Sequence, residues 1–343
     1  MKPLKPNDPR AFGDIVVHGR LGEGGMGTVY FGLTPEGARV AVKTIRADLT
    51  ANEEARDRFD REILVLGMVG GPRIAALITA SDDPGQDADP WLATEYIQGL
   101  TLTEYVQERG PLDLPMTAAL GLMLAEGLTD IHRAGLLHRD LKPSNVILGP
   151  DGPRVIDFGL AGLAEGTSDI THSSGLIGTP VCMAPEQATS PRHLTVAVDV
   201  HALGAVLMFA VTGRFPYQRP TVPALLIAIA DPAADPDLAG LPGELSPLIR
   251  AMLAHHPQDR PGLPELATEL LRILNDAGFT ITGAPSALAG LTYIERESDP
   301  PPAPPAASRA RARRLPGEPQ VPSDLVARIA EKVRHEYARG AAL

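Results

Sequence analysis

Cysteine is almost missing: Cys182 stands alone among 343 residues. A single thiol excludes a disulfide framework and a thiolate zinc cage, and it suits a reducing compartment. Aromatic residues are scarce at 4%, so the core must be built from Leu, Val, Ile and Ala. Positive charge is in deficit, with 31 Lys and Arg against 42 Asp and Glu and a formal net charge of −11. That sign disfavours nucleic acid as a partner, although a local basic patch is compatible with it. No uninterrupted apolar run reaches the roughly 18 residues of a membrane span. Residues 1–10 are polar and proline-rich, with no apolar stretch of the secretory kind. The expectation is a cytoplasmic protein with no integral membrane segment.

The chain is long enough for one large domain or two ordinary ones, with 44% apolar and 21% charged residues. Glycine and proline, 34 each, imply many turns and at least one loose segment. Three short β-rich runs broken by glycines lie between Ile15 and Ile45 and read as antiparallel strands with a glycine-rich turn after the first. Residues 52–68 read as a helix with Phe59, Ile63 and Leu66 on one face. Strands near 74–79 and 91–96 complete a five-stranded lobe with one helix by about residue 97. The chain then turns helical, over 114–134, 196–212, 222–230, 245–254 and 263–277, with Leu120, Leu124, Leu128 and Ile131 on one stripe of the first. The fold class is α+β, with a β-rich front and a helical back. Residues 278–322 read as a Pro/Ala/Arg-rich disordered linker with an arginine run at Arg309, Arg311, Arg313 and Arg314. Residues 323–339 read as an amphipathic helix with Leu325, Ile329, Val333 and Tyr337 on one side.

Chemistry enters at Leu21-Gly22-Glu23-Gly24-Gly25-Met26-Gly27-Thr28-Val29. Taken alone, these glycines divide evenly between a phosphate loop and an ordinary hairpin. They sit between two strands, which disfavours a dinucleotide fold, and no GxxxxGK[ST] is present. Lys43 follows Gly27 by sixteen residues in the run Val40-Ala41-Val42-Lys43, and Glu62 lies nineteen further on. Each has an ordinary reading as a solvated side chain. Then come His138-Arg139-Asp140-Leu141-Lys142-Pro143-Ser144-Asn145, Asp157-Phe158-Gly159 twelve residues after Asn145, and Ala184-Pro185-Glu186.

In order and spacing, these five motifs resemble those of the eukaryotic-like (Hanks-type) protein kinases, and the chain looks like a bacterial Ser/Thr kinase of that family over residues 12–277, about four-fifths of its length. The resemblance implies the bilobal kinase fold, with an N-lobe over about 12–97 and a C-lobe over about 98–277. It also implies ATP and Mg²⁺ as cofactors, and protein substrates. Phosphoryl transfer needs positioning and charge neutralisation, and the matched residues divide that work. Asp140 would orient the acceptor hydroxyl and take its proton, while Lys142 offsets charge on the transferring phosphate. Asn145 and Asp157 are oxygen ligands for Mg²⁺. Lys43, held by Glu62, grips the α- and β-phosphates under the loop Gly22, Glu23, Gly24, Gly25, Met26 and Gly27. Leu21, Val29, Ala41 and Ile147 enclose the adenine, and the backbone of Glu95 and Ile97 reads its edge beside Thr94.

Lys142 and Gly178-Thr179 go with Ser/Thr rather than Tyr specificity in the family. Asp199 resembles the helix aspartate that braces the catalytic loop, and Arg260 the arginine that pairs with Glu186. Arg139 implies a phosphate on the activation segment, with Thr171 and Ser173 as the autophosphorylation sites and a transient homodimer for the trans reaction. The C-terminal helix is expected to dock on a partner, another copy or the kinase domain itself. A pseudokinase scaffold and a small-molecule phosphotransferase are the alternatives. The first conflicts with Lys43, Glu62, Asp140, Asn145 and Asp157 all being in place, and the second with the activation segment ending in Ala184-Pro185-Glu186.

Overall fold

Alternating β-branched residues around the first glycines build one sheet, and a later set of apolar helices builds a second, separate body. The structure, a computed structural model, describes residues 1–24, 27–45, 53–81, 90–157, 180–190 and 194–295. The described chain divides into two compact units. Among the described residues, unit 1 holds those up to 70 and 76–96, and unit 2 holds 71–75 and 97–295.

Unit 1 is a six-stranded antiparallel sheet in the order β1-β2-β3-β4-β6-β5. Its strands are β1 (Ala11–Phe12), β2 (Ile15–Glu23), β3 (Thr28–Leu33), β4 (Arg39–Thr44), β5 (Leu77–Ala80) and β6 (Trp91–Glu95), with α1 (Glu53–Met68) between β4 and β5. Val40, Val42 and Ala93 are fully buried against Phe12, Ile15, Val17 and Tyr30. Each large side chain so buried contributes roughly 1.5–3 kcal/mol. Phe59, Ile63 and Leu66 of α1 are buried together, as their spacing predicts. Two expectations change. The sheet gains β1, and residues 1–10, read as lying outside the domain, are folded against β2, with Lys2 and Arg20 bonded in both directions (2.8 and 2.9 Å). The strand expected over 74–79 starts instead at Leu77. Ile74 forms a parallel bridge to Val155 within unit 2, where the Arg154 side chain holds its carbonyl at 3.0 Å.

Unit 2 is helical around α3 (Leu114–Arg133) and α5 (Ala197–Thr212). Asp113 caps α3 by accepting from the Met116 N–H at 2.9 Å. Leu120, Leu124, Leu128 and Ile131 are fully buried. Among the described residues α3 is the one helix long and apolar enough to cross a membrane by length and composition. Glu126 and Asp130 interrupt its apolar run, so a count of uninterrupted runs gives no sign of it. About 67% of that stretch is buried inside the protein, as befits a core helix. Helix α5 is apolar on every side and buried continuously from Val198 to Ala210, ending at Gly213 in the left-handed region. The helices α6 (Val222–Ala230), α7 (Ser246–Met252) and α8 (Leu263–Asp276) follow the expected order, and the short α4 (Pro185–Thr189), which was not expected, precedes α5.

Three further elements were not expected. Helix α2 (Leu102–Arg109) is held by a Thr101/Glu104 capping box. A three-stranded sheet of β7 (Leu100–Thr101), β8 (Val146–Gly149) and β9 (Gly152–Val155) crosses the unit. Helix α9 (Ala284–Thr292) buries Ala284, Leu288 and Ala289 against α3, β8 and β9. Residues 278–295, expected as linker, are therefore part of unit 2, because α9 supplies an apolar face for α3. The expected helix over 323–339 lies outside the described residues.

Candidate active site

Strand register decides which unit 1 side chains share a face. Val29 pairs with Lys43 and Phe31 with Ala41 across β3 and β4, while Ala41 pairs with Thr94 and Lys43 with Leu92 across β4 and β6. Cross-strand partners project to one side, so Val29, Ala41, Lys43 and Thr94 form a single face, opposite the Val40–Val42–Tyr30 core. Lys43 Nζ lies 2.6 Å from Glu62 Oε1 of α1, with side chains 14% and 5% exposed. The sheet and helix thus hold a nearly buried ammonium on the same face as a small threonine and an alanine. Leu21 and Val29 are half-buried, and the Glu95 N–H donates to the Ala76 carbonyl at 2.8 Å.

The glycine hairpin is the continuation of β2 into β3. Gly22 pairs with Val29 and Glu23 with Thr28, and the Gly24 N–H closes on the Gly27 carbonyl at 2.8 Å. Gly27 has no substitute, because a Cβ there would fall on the Thr44 carbonyl. Gly25 and Met26, at the tip, lie outside the described residues. Glu23 is exposed and reaches Lys5 at 3.5 Å and Arg20 at 3.4 Å.

In unit 2 the β8–β9 hairpin places the second set. Asn145 ends a short 3₁₀ turn, Pro143–Asn145, directly before β8. Asp157 follows β9 by two residues, and the Ile156 N–H donates to the Asn145 carbonyl at 2.9 Å. Lys142 Nζ lies 2.6 Å from Asp140 Oδ2, and Asn145 Nδ2 donates to the same oxygen at 3.2 Å and to the Asp140 carbonyl at 2.9 Å. The Asp140 side chain is 45% exposed, so its carboxylate is fixed yet open to an incoming group. Because the Asn145 amide nitrogen is committed to Asp140, its amide oxygen is the atom available to a cation. Ile147 lies on β8, half-buried, and Ile97 is 8% exposed.

The loop bearing Asp140 is braced from below. Asp199, fully buried on α5, accepts from the N–H groups of His138 (2.9 Å) and Arg139 (2.8 Å) and bonds the His132 ring at 2.7 Å. Burial alone would raise its carboxyl, but the His132 bond and the two backbone N–H groups hold it below the usual carboxylate range. Burial pushes the His138 imidazole down against the pull of Asp199, Asp140 and Asp157. It is therefore neutral, and its Nδ1 accepts the Asp140 N–H at 3.3 Å. Arg139 and Asp157 both sit in the left-handed region, at φ 64° and 55°. Such strain costs on the order of 1–3 kcal/mol each and persists only where the surroundings over-determine it.

Arg260 makes the expected pair with Glu186, at 2.6 and 2.8 Å. Two supporting residues were not expected: His132, and Gln187, whose amide holds the Arg139 carbonyl at 2.9 Å. Gln187 directly follows Ala184-Pro185-Glu186, which was the available signal; His132 had none beyond its place in the last turn of α3. Cys182 is buried, and burial, reinforced by Asp140, raises its thiol out of the reactive range. Thr171, Ser173 and Phe158-Gly159 lie outside the described residues.

In unit 1 one sheet face carries the Lys43–Glu62 pair, and in unit 2 the Asp140 carboxylate lies between a lysine and an asparagine. A model of the protein kinase domain matches residues 15–271, and the chain belongs to the protein kinase family. Within it the chain is similar to the serine/threonine-protein kinase AfsK of Streptomyces coelicolor, 42% identical over 285 residues, covering 83% of this chain and 35% of that protein. The probable serine/threonine-protein kinase PkwA of Thermomonospora curvata is 43% identical over 270 residues, covering 79% and 35%. The solved kinase domain of Mycobacterium tuberculosis PknI superposes with a TM-score of 0.61 at 26% identity, covering 77% of this chain and 97% of that one. The group is that of the bacterial Hanks-type serine/threonine kinases, and the chain spans about a third of the length of these two curated relatives.

Proposed function

We propose that this chain transfers the γ-phosphoryl group of ATP to Ser and Thr hydroxyls of proteins. The observation that carries the reading is the Asp140 carboxylate, open to solvent and held between Lys142 and Asn145. The acceptor oxygen attacks phosphorus, the bond to ADP breaks, and the hydroxyl proton passes to Asp140. Lys142, already against that carboxylate, offsets charge on the transferring oxygens. Lys43, fixed by Glu62, binds the non-transferring phosphates, and the unit 1 face of Val29, Ala41 and Thr94, beside Leu21, meets the adenine.

Mg²⁺ bound with the nucleotide supplies charge neutralisation across the phosphates. The donor set suits it: the Asn145 amide oxygen and the Asp157 carboxylate are two hard ligands, and Mg²⁺ commonly takes one or two protein ligands with phosphates and water completing its shell. No cluster of three or more His, Cys, Asp or Glu that could hold a resident metal occurs among the described residues.

Arg139 supports autophosphorylation at Thr171 and Ser173, by a second copy in trans. Its guanidinium makes no hydrogen bond among the described residues, which suits it to a phosphate on the segment that follows. ATP as donor and a lone buried thiol, Cys182, favour the cytoplasm as the compartment of this activity. The test is phosphate incorporation from labelled Mg-ATP, with a generic acceptor protein, in the wild type and in Asp140→Asn. Label on the wild type, mapped to Thr171 or Ser173 and reduced about 10²–10⁴-fold in the variant, supports the reading. No label on either protein overturns it in favour of a scaffold.

A further inference from the structure

Residues 1–14 form a strap along the β2 edge, and its polar contacts converge on the entrance to the glycine hairpin. Leu4 packs against the cluster that holds Phe12 and Tyr30, anchoring the strap on apolar surface. Lys2 bonds the backbone of Arg20 in both directions. Asp8 then meets the Arg20 side chain, Nε to Oδ2 at 3.5 Å, with the two side chains 8% and 9% exposed. The other Asp8 oxygen accepts from the Tyr30 hydroxyl at 3.1 Å, and the Lys5 N–H donates to Oδ2 at 2.7 Å. Arg20 passes the restraint forward: its Nη2 donates to Thr28 Oγ1 at 3.1 Å and lies 3.4 Å from Glu23. Glu23 and Thr28 are the last cross-strand pair before the loop tip.

Burying an ion pair is poor value as stabilisation, because desolvation cancels much of the attraction; its better-attested effect is to fix register. Register is what β2 needs at this point. Its pairing with β3 slips between Val17 and Gly19 and again between Arg20 and Gly22, and bulges of this kind re-aim the strand beyond them. Arg20 is the last paired residue before the second slip. We propose that Asp8 and Arg20 are positioning residues for nucleotide: the strap, through this buried pair, sets where the glycine hairpin lies and so how tightly the chain holds ATP. The inference rests on the reading of the hairpin as the phosphate loop.

The test uses the full chain and measures the affinity for Mg-ADP by titration calorimetry, alongside a thermal melt and the KM for ATP. Asp8→Asn keeps an acceptor oxygen for the Lys5 N–H and places an amide that can donate to the Tyr30 hydroxyl oxygen, but removes the negative charge facing Arg20. Thr28→Val removes the onward bond at almost constant volume. Tyr30→Phe removes a bond to Asp8 while leaving its contact with Arg20. The expected result is a 5–20-fold weaker Kd for Asp8→Asn and a 3–10-fold weaker one for Thr28→Val. The KM for ATP should rise in parallel, kcat should stay within twofold, and Tyr30→Phe should match the wild type in Kd. Should Asp8→Asn fail to fold, Thr28→Val decides alone. A Kd unchanged within twofold in the folded variants, with only the melting point lowered, overturns the proposal and leaves the phosphate-loop reading standing. A wild type that does not bind Mg-ADP overturns both.

Discussion

Arg260 allows the structure to be tested through stability alone. Its guanidinium has five N–H donors, and the hydrogen bonds use all three nitrogens. Nη1 and Nη2 donate to the two oxygens of Glu186 at 2.6 and 2.8 Å; Nη1 also reaches the Ala197 carbonyl at 2.9 Å, Nη2 the His255 carbonyl at 3.0 Å, and Nε the Ala254 carbonyl at 2.8 Å. The side chain is fully buried and Glu186 is 12% exposed. Arg260→Lys keeps the charge and a bond to Glu186, but a single ammonium cannot reach three carbonyls on α5 and the 254–255 turn. At about 1 kcal/mol for each bond lost, the variant should be destabilised by about 3 kcal/mol. Arg260→Met strands the Glu186 carboxylate as well, which raises the loss to about 3–5 kcal/mol. For a unit of this size 1 kcal/mol moves Tm by about 2–4 °C, so about 6–12 °C is expected for Lys and up to about 20 °C for Met. Scanning calorimetry of the full chain reads the shift, and hydrogen exchange of the α5 amides assigns it to unit 2. A Tm for Arg260→Lys within 2 °C of wild type would refute the argument that the planar fork, rather than the charge, ties this region together.

Two further predictions concern other parts of the molecule. Gly27→Ala should destabilise unit 1 by about 1–3 kcal/mol, because its Cβ meets the Thr44 backbone and not a movable side chain. Gly22→Ala, whose Cβ would meet nothing within 4 Å, should melt with the wild type; equal losses in the two variants would contradict the hairpin geometry. Burial, reinforced by the cation of Arg260, pushes the His201 imidazole down to about 3. Since the unfolded chain binds a proton there below about pH 6.5 and the folded chain does not until about 3, stability drops by about 1.4 kcal/mol for each unit that the pH is lowered between those values. His201→Leu should flatten that slope in urea unfolding between pH 6.5 and 4.5, and parallel slopes would show that the ring is not held neutral.

What was legible in the sequence was whatever the chemistry restricts to one residue type at one spacing. Asp140, Lys142, Asn145 and Asp157 stand out through their motifs, and the structure brings the first three into contact. The long helices were legible for a different reason. The stripe Leu120–Leu124–Leu128–Ile131 repeats often enough to outweigh local noise, and it is buried as its period requires. Periodicity needs length, however, and the elements that place Asn145 and Asp157 have none. Strand β7 is two residues long, and β8 and β9 are four each, yet this small sheet sets Asn145 and Asp157 at the two ends of one hairpin. Helix α9 was hidden by its composition, since APSALAGLT mixes helix formers with glycine, proline and serine and shows too short an apolar face.

Supporting contacts were hidden more deeply. In a strand, Arg20 reads as an ordinary solvent-side residue, and no rule of spacing ties it to Asp8, twelve positions earlier in a segment that reads as loose. Only with Lys2 paired to the Arg20 backbone does that segment come alongside β2 and the carboxylate find the guanidinium. The same holds for His132 and Gln187, which hold the loop bearing Asp140 through Asp199 and the Arg139 carbonyl. A brace can be built from many residue pairs, so its identity carries little signal, whereas its effect on the position of Asp140 or of the glycine hairpin is physical and measurable. Motif reading alone gives no reason to test a position such as Asp8, and the geometry around Arg20 supplies one.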